Sequence, residues 1–163
     1  MRRDTAFRRI LYATNLGDKM RPVFRYAIDL ARTHHAKIVM LHVVAPIGTT
    51  AQTVLSLYLP EAEIKHLQEE KMDDVISVMK NRLANYCAQE EDICKGDESL
   101  VTDTVVLSGN PGQSIVSYAE DHEIDLIVLG SHARSPASHD WIGSTARHVT
   151  MHSKVPVLLI PNM

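Results

Sequence analysis

Five short apolar runs, spread along the chain and separated by polar segments, constrain its fold more than any other feature. Within each run the apolar residues are largely continuous rather than alternating, which is typical of parallel strands buried on both faces. The runs predict five strands, at residues 10–13, 38–44, 101–107, 125–129 and 155–160.

The segments between these strands carry apolar residues at helical spacing, which predicts four helices. Asp18 is the predicted N-cap of the first helix and Pro22 lies in its first turn, whereas Pro111 and Gly143 open the third and fourth. The helical stripes are Val23, Ala27, Leu30 and Ala31; Met72, Val75, Ile76, Met79, Leu83 and Tyr86; Ile115, Val116 and Ala119; and Ala146, Val149 and Thr150. Residues 45–60 are predicted as a long loop and residues 88–100 as a polar connection. The alternation predicts an α/β fold, an open doubly wound sheet of five parallel strands with helices on both faces.

Composition narrows the classes of protein that fit this pattern. The chain has 163 residues, 45% of them hydrophobic, which predicts a single domain over residues 1–163. Its 17 basic and 20 acidic residues provide no positive field for a nucleic acid. No apolar run approaches the ~20 residues of a membrane span, so we expect no membrane partner. Two cysteines, Cys87 and Cys94, are too few for a secreted disulfide framework, which favours a cytoplasmic location.

The segment from Gly130 to Thr145 follows the fourth predicted strand and ends where the last helix begins. Open parallel sheets bind ligands beyond the carboxyl ends of their strands. The first amides of a helix lack partners within the helix and carry its positive dipole end, so they favour a phosphate. Ser144 and Thr145 could add hydroxyl donors. Four side chains could add positive charge: His132, Arg134, His139 and Arg147. Locally, a plain glycine turn before a helix explains these residues equally well, and both interpretations stay open.

Taken in order, Gly130, Ala133 and Gly143-Ser144 resemble the G-x2-G-x9-G-[ST] nucleotide loop of the universal stress protein family. The resemblance extends along nearly the whole chain. Segments 9–15, 39–43, 125–130 and 155–160 are similar to the family's first, second, fourth and last strands, and segment 109–111 to its third turn. Each motif alone is common, and their order and spacing together carry the assignment.

This resemblance implies a strand order of 3-2-1-4-5 in an adenine nucleotide alpha hydrolase-like fold, and a homodimer joined through the last strand, Val155 to Ile160. It also implies that ATP or AMP binds at the carboxyl ends of the strands, with magnesium accompanying ATP. Val43 would contact the adenine through its backbone, and Asn15 would lie near adenine and ribose. The implied nucleotide-binding set is Ala13, Thr14, Asn15, Val43, Gly130, His132, Ala133, Arg134, Gly143, Ser144 and Thr145.

Two residues depart from the family pattern. Asn15 stands where nucleotide-binding members usually have an acidic residue, so it keeps hydrogen-bonding capacity but loses the charge. Ala133 replaces the second glycine of the loop, which is costly only where that position needs a positive φ or the closest backbone approach. These departures leave open a dimeric stress protein that has lost nucleotide binding.

No catalytic residue and no metal ligand set is assigned. The chain lacks both G-x-x-x-x-G-K-[ST] and G-x-G-x-x-G. Hydrolysis of ATP normally needs a metal held by acidic side chains, and Asp140 is the only carboxylate of the loop, so any hydrolysis should be slow. A slow ATP hydrolase is the alternative to a regulatory binding protein of the stress response. His148 and His152 are predicted as surface or packing residues, and His42 as a hydrogen-bonded strand residue. Trp141 is predicted to pack the loop, with coverage of the ligand as the other interpretation.

Overall fold

The structure, a computed structural model, describes residues 6–46, 48–89, 99–132 and 142–162. Five parallel strands form one sheet in the order β3-β2-β1-β4-β5, as expected. The strands are β1 (Arg9–Ala13), β2 (Lys37–Val44), β3 (Val101–Ser108), β4 (Leu126–Gly130) and β5 (Val157–Ile160). The helices are α1 (Arg21–His34), α2 (Thr49–Tyr58), α3 (Glu61–Gln89), α4 (Pro111–Asp121) and α5 (Ser144–His152).

Two apolar layers, one on each face of the sheet, confirm the doubly wound arrangement. On one face Phe24 of α1 and Met79 of α3 are fully buried against β1 and β2. On the other face Ile115 of α4 and Val149 of α5 pack against the opposite sides of the same strands. Because β1 is covered on both sides, its residues are continuously apolar, as the sequence pattern required.

The last strand is shorter than predicted and begins at Val157. Pro156 precedes it and has no N–H to donate, although its carbonyl accepts a hydrogen bond from the Ile127 amide at 3.0 Å. Strand β4 likewise begins one residue late, at Leu126, and the Asp125 side chain before it binds the start of the neighbouring strand β1. Its carboxylate accepts hydrogen bonds from the amides of Arg8 and Arg9, both at 2.8 Å.

The prediction of a loop over residues 45–60 is wrong, because α2 occupies Thr49–Tyr58. No residue of α2 is buried, so the apolar stripe that marks a core-facing helix is absent. Local bonds form the helix instead: the Gln52 amide donates to Gly48 at 3.0 Å, and the Thr53 hydroxyl donates to the Thr49 carbonyl at 2.8 Å.

The predicted N-cap of α1 is also wrong. Asp18 begins a single 3₁₀ turn, Asp18–Met20, which places Met20 at the cap position with no side-chain cap hydrogen bond. Pro22 lies in the first turn as predicted. The helix ends at His34, and His35 follows in the left-handed region with φ 54°, its amide bonded to the carbonyls of Ala31 and Arg32.

Helix α3 ends at Gln89, so it includes the first two residues of the connection predicted over residues 88–100. Most of that connection, including Cys94, lies outside the described residues. Across the described ranges, no helix has both the length and the apolar content needed to cross a bilayer.

Candidate functional site

A cleft of about 570 Å³ opens at the carboxyl edge of the sheet. It lies where β1 and β4 are neighbours although the chain leaves them toward opposite faces, into α1 and toward α5. This reversal is the position at which doubly wound sheets hold ligands.

Nine residues of the eleven predicted for a nucleotide line this cleft. They are Ala13, Thr14, Asn15, Val43, Gly130, His132, Gly143, Ser144 and Thr145. The other two, Ala133 and Arg134, lie outside the described residues, as do His139, Asp140 and Trp141. Residues from the ends of three strands and from the start of α5 therefore share one cavity, and their binding role stays a prediction.

The chain after β1 forms a tight turn held by its own side chains. The Thr14 hydroxyl accepts from the Leu16 amide at 3.0 Å, and the Asn15 carboxamide oxygen accepts from the Gly17 amide at 2.8 Å. Leu16 takes a positive φ of 60° within this turn. The oxygen of Asn15 therefore supports the shape of the cleft wall, a function that an uncharged side chain can fulfil.

His42 joins β2 to that turn. Its Nδ1 lies 2.7 Å from the Thr14 carbonyl oxygen, which can only accept, so Nδ1 carries the proton and donates. The prediction of a hydrogen-bonded strand residue is confirmed, and the same side chain also lines the cleft.

The wall near Val43 is mainly apolar. Leu41 is the last residue of β2 that pairs with β1, and β2 continues for three more residues. Val43 therefore lies beyond the end of β1. Ala13, Leu41 and Ile115 complete this wall. An apolar slot bordered by backbone groups suits a flat heterocycle.

At the opposite side of the cleft, α5 begins at Ser144 without a side-chain cap. Its N-cap Gly143 has φ −65° and ψ 159°, and no side chain of the described residues accepts from the first turn. The first backbone bond of the helix runs from the Arg147 amide to the Gly143 carbonyl at 2.9 Å. The amides of Ser144, Thr145 and Ala146 precede it and carry the positive end of the helix dipole.

Gly130 lies against a side chain of the protein itself. It is the last residue of β4, and it is not among the described glycines with positive φ. A Cβ there would lie 2.6 Å from Nδ2 of Asn162, so the group that approaches this glycine closely is a side chain of the protein.

Sequence reasoning missed several lining residues because they come from segments far away in the chain. Lys71 and Val75 come from α3, Met20 from the 3₁₀ turn and Pro111 and Ile115 from α4. Lys71 adds a positive charge that no motif marked. Helical periodicity identified Val75 and Ile115 only as helix-stripe residues, so no sequence signal distinguished them from the core.

The histidine pair of α5 and the turn before α4 both have partners within the protein. The rings of His148 and His152 stack with centroids 4.2 Å apart, and no group of three or more potential metal ligands occurs within the described ranges. The turn before α4 is confirmed, because the Asn110 side chain accepts from the Gln113 amide at 3.1 Å.

The chain is similar to known proteins over nearly its whole length. The model of the universal stress protein family matches residues 6–161. Universal stress protein MJ0577 of Methanocaldococcus jannaschii is 23% identical over 158 residues, which cover 94% of each chain. The solved structure of MJ0577 has a TM-score of 0.68 at 24% identity, over 97% of this chain and 98% of that chain.

Two further proteins are similar over almost their full length. Universal stress protein YxiE of Bacillus subtilis is 26% identical over 155 residues, covering 94% of this chain and 99% of YxiE. A universal stress protein solved in complex with cAMP has a TM-score of 0.63 at 20% identity, over 97% of this chain and 99% of that chain.

The sheet order, the two helical layers and the switch-point cleft together form an adenine nucleotide alpha hydrolase-like fold. The family match covers all but the first five and last two residues. On both grounds, the chain belongs to the universal stress protein family.

Proposed function

We propose that this chain binds an adenine nucleotide, ATP or AMP, in the switch-point cleft and acts as a regulatory binding protein of the stress response. One observation carries the proposal. The uncapped start of α5 and the apolar wall beside Val43 face the same cavity of about 570 Å³, a volume within the usual range of small-molecule sites.

The two sides of the cleft suit the two halves of a nucleotide. The wall of Ala13, Val43 and Ile115 would hold the base, and the amides of Ser144, Thr145 and Ala146 would bind phosphate oxygens. A relative with the same fold was solved with cAMP, an adenine nucleotide, which supports this class of ligand.

The charges around the cleft favour binding of an anion. Lys71 contributes a cation, and none of the described lining residues is Asp or Glu. Magnesium accompanying ATP would bind phosphate oxygens. A slow ATP hydrolase remains the alternative, since Asp140 lies outside the described residues and a hydrolase normally holds its metal through acidic side chains.

The test is a direct search for the ligand. Small molecules released by denaturing the freshly purified protein should include an adenine nucleotide by mass spectrometry. Calorimetry on the emptied protein should show binding of ATP or AMP, with GTP as the control for base selectivity. A protein that neither carries nor takes up any adenine nucleotide would remove the proposal.

We further propose a homodimer joined through Val155 to Ile160. Strand β5 is an edge strand, and the carbonyls of Pro156 and Ile160 accept from β4. By the alternation of a parallel ladder, the backbone groups of Val157 and Leu159 point to the outer edge, where a second copy could pair with them.

Light scattering at high protein concentration should report a dimer. Leu159→Pro, which removes one outward-facing N–H, should shift the mass toward the monomer while the circular dichroism spectrum is retained. A monomer for the unmodified protein at every concentration would exclude this interface.

A further inference from the structure

Asn162 is a buried polar residue that follows β5 by two positions. It is 6% exposed, although asparagine is usually found at the surface. Its carboxamide oxygen accepts from the His132 amide at 2.8 Å, and its Nδ2 donates to the sulfur of Met20 at 3.6 Å. Burying such a group is favourable only when its donors and acceptors are used, and here both ends have partners.

The same carboxamide fills the space that Gly130 leaves empty. A Cβ on Gly130 would lie between 2.6 and 2.9 Å from three atoms of the Asn162 side chain. Any larger residue at position 130 would displace Asn162. The glycine at the end of β4 and the asparagine after β5 are therefore fitted to each other.

The end of β5 and Asn162 hold the chain directly after β4, which in turn binds the N-cap of α5. The Ser131 amide donates to the Ile160 carbonyl at 2.9 Å, and the Ser131 carbonyl accepts from the Gly143 amide at 2.7 Å. Asn162 adds the bond to His132, one residue further along. Three successive bonds thus connect the end of β5 to the first residues of the loop and to the N-cap of α5.

We propose that Asn162 is a positioning residue for the phosphate side of the nucleotide site. It holds His132 at the cleft wall, next to Ser131, whose carbonyl binds the Gly143 amide before the first amides of α5, and it does not contact the ligand itself. This inference rests on the proposed function, since it assumes that phosphate oxygens are bound at Ser144, Thr145 and Ala146.

The test compares ligands that differ only in phosphate. Asn162→Ala leaves the His132 amide without its acceptor and loosens His132 and Ser131 beside Gly143, so ATP affinity should fall about tenfold. Adenosine, which lacks phosphate, should bind within about twofold of its original affinity, because the wall near Val43 is unchanged. A residue with a purely structural role would lower the affinity for both ligands alike.

Ser153→Ala is the matched control. Its hydroxyl also bonds backbone beside β5, donating to the Val155 carbonyl at 2.8 Å, but at the end of the strand away from the cleft. This variant should leave the affinity for both ligands unchanged. Equal losses for ATP and adenosine in Asn162→Ala, or no loss for either, would overturn the inference.

A double-mutant cycle tests the fit between the two residues independently of any ligand. Gly130→Ala should lower the urea midpoint strongly in the original chain and much less in the Asn162→Ala background, where the new methyl group enters vacated space. Additive effects would overturn the inference.

If the unmodified protein binds neither ATP nor adenosine, the proposed function fails and the inference fails with it. If it binds both and Asn162→Ala changes neither affinity, only the inference fails.

Discussion

Helices α4 and α5 begin at the same edge of the sheet and pack on the same face, yet their first turns differ. Asn110 caps α4 by accepting from the Gln113 amide at 3.1 Å, and Pro111 at the first position has no N–H to satisfy. Helix α5 has Gly143 at its cap, which has no side chain to accept from the first turn. Within the described ranges, a side chain satisfies the start of α4 but none satisfies the start of α5.

Under the proposed function, this difference gives the nucleotide an orientation in the cleft. Both helices border the cleft, through Pro111 and Ile115 on α4 and through Ser144 to Ala146 on α5. Because α4 offers a proline ring and an apolar side chain, it suits the base, whereas the first amides of α5 suit the phosphates. Among the described residues, the start of α5 is therefore the one that fits the proposed phosphate site.

Adding a side-chain cap to α5 should have the largest effect, a loss of ATP affinity. Gly143→Asp places a carboxylate where a phosphate would bind, and ATP affinity should fall about 100-fold, since a hydrogen bond to a charged group contributes about 1.5–3 kcal/mol. Stability should change by only a few tenths of a kcal/mol, because glycine is itself a tolerated cap. Calorimetry and urea denaturation measure the two effects. Gly143→Asn, the uncharged control, should have a smaller effect on affinity, and unchanged ATP binding in both variants would refute the assignment of α5.

Forcing the two helices apart should have the next largest effect. A Cβ on Gly112 of α4 would lie 2.7 Å from the Cβ of His148 on α5. Gly112→Ala should therefore reduce the free energy of unfolding by about 1–3 kcal/mol, the usual cost of overpacking. Gln113→Ala, on the exposed side of the same helix, is the control and should stay within about 0.5 kcal/mol. Equal stability of the two variants in urea would show that the helices do not pack this closely.

Removing the cap of α4 should affect stability alone. Asn110→Ala should cost about 1 kcal/mol of unfolding free energy and leave ATP affinity within about twofold, because Asn110 serves only the Gln113 amide. Asn110→Asp keeps the acceptor and should retain the stability. A loss of ATP affinity comparable with that of Gly143→Asp would mean that the two helix starts do not differ in function.

The smallest effect should be a pH dependence of stability that comes from Tyr118 in α4. Burial raises the pKa of Tyr118 above its ordinary value of 10.0, a rise that the Arg9 charge opposes and the Asp103 charge supports. The unfolded chain therefore loses this proton first, so the stabilising contribution is complete below about pH 10 and decreases as pH rises further. Urea midpoints between about pH 8 and about pH 11 should show the decrease, and Tyr118→Phe should reduce it. An identical decrease in the variant would assign it to other groups.

Much of the fold could be predicted from local patterns. The apolar runs identified β1 to β5 within two residues at each end, since a strand covered on both faces requires continuous apolar residues. Helix α2 escaped prediction because none of its side chains is buried; Leu57 and Tyr58 are 74% and 80% exposed. Apolar periodicity reports contact with a core, and α2 lacks that contact.

The candidate site was predictable only in part, for a related reason. Strand ends and helix starts are visible in a sequence, so Thr14, Val43, Gly130 and Ser144 could be assigned to one edge of the sheet. Lys71 could not be assigned to the cleft, because no sequence pattern indicates which face of α3 borders it.

The sequence by itself determined the strands, the family and the residues at the carboxyl edge, because these follow from short-range periodicity and motif order. Only the tertiary structure decided that Lys71 borders the cleft and that Asn162 reaches back to Gly130. The bonds of Asn162 join residues 30 and 142 positions apart. Contacts of that span depend on how packed side chains share space, which no local pattern records.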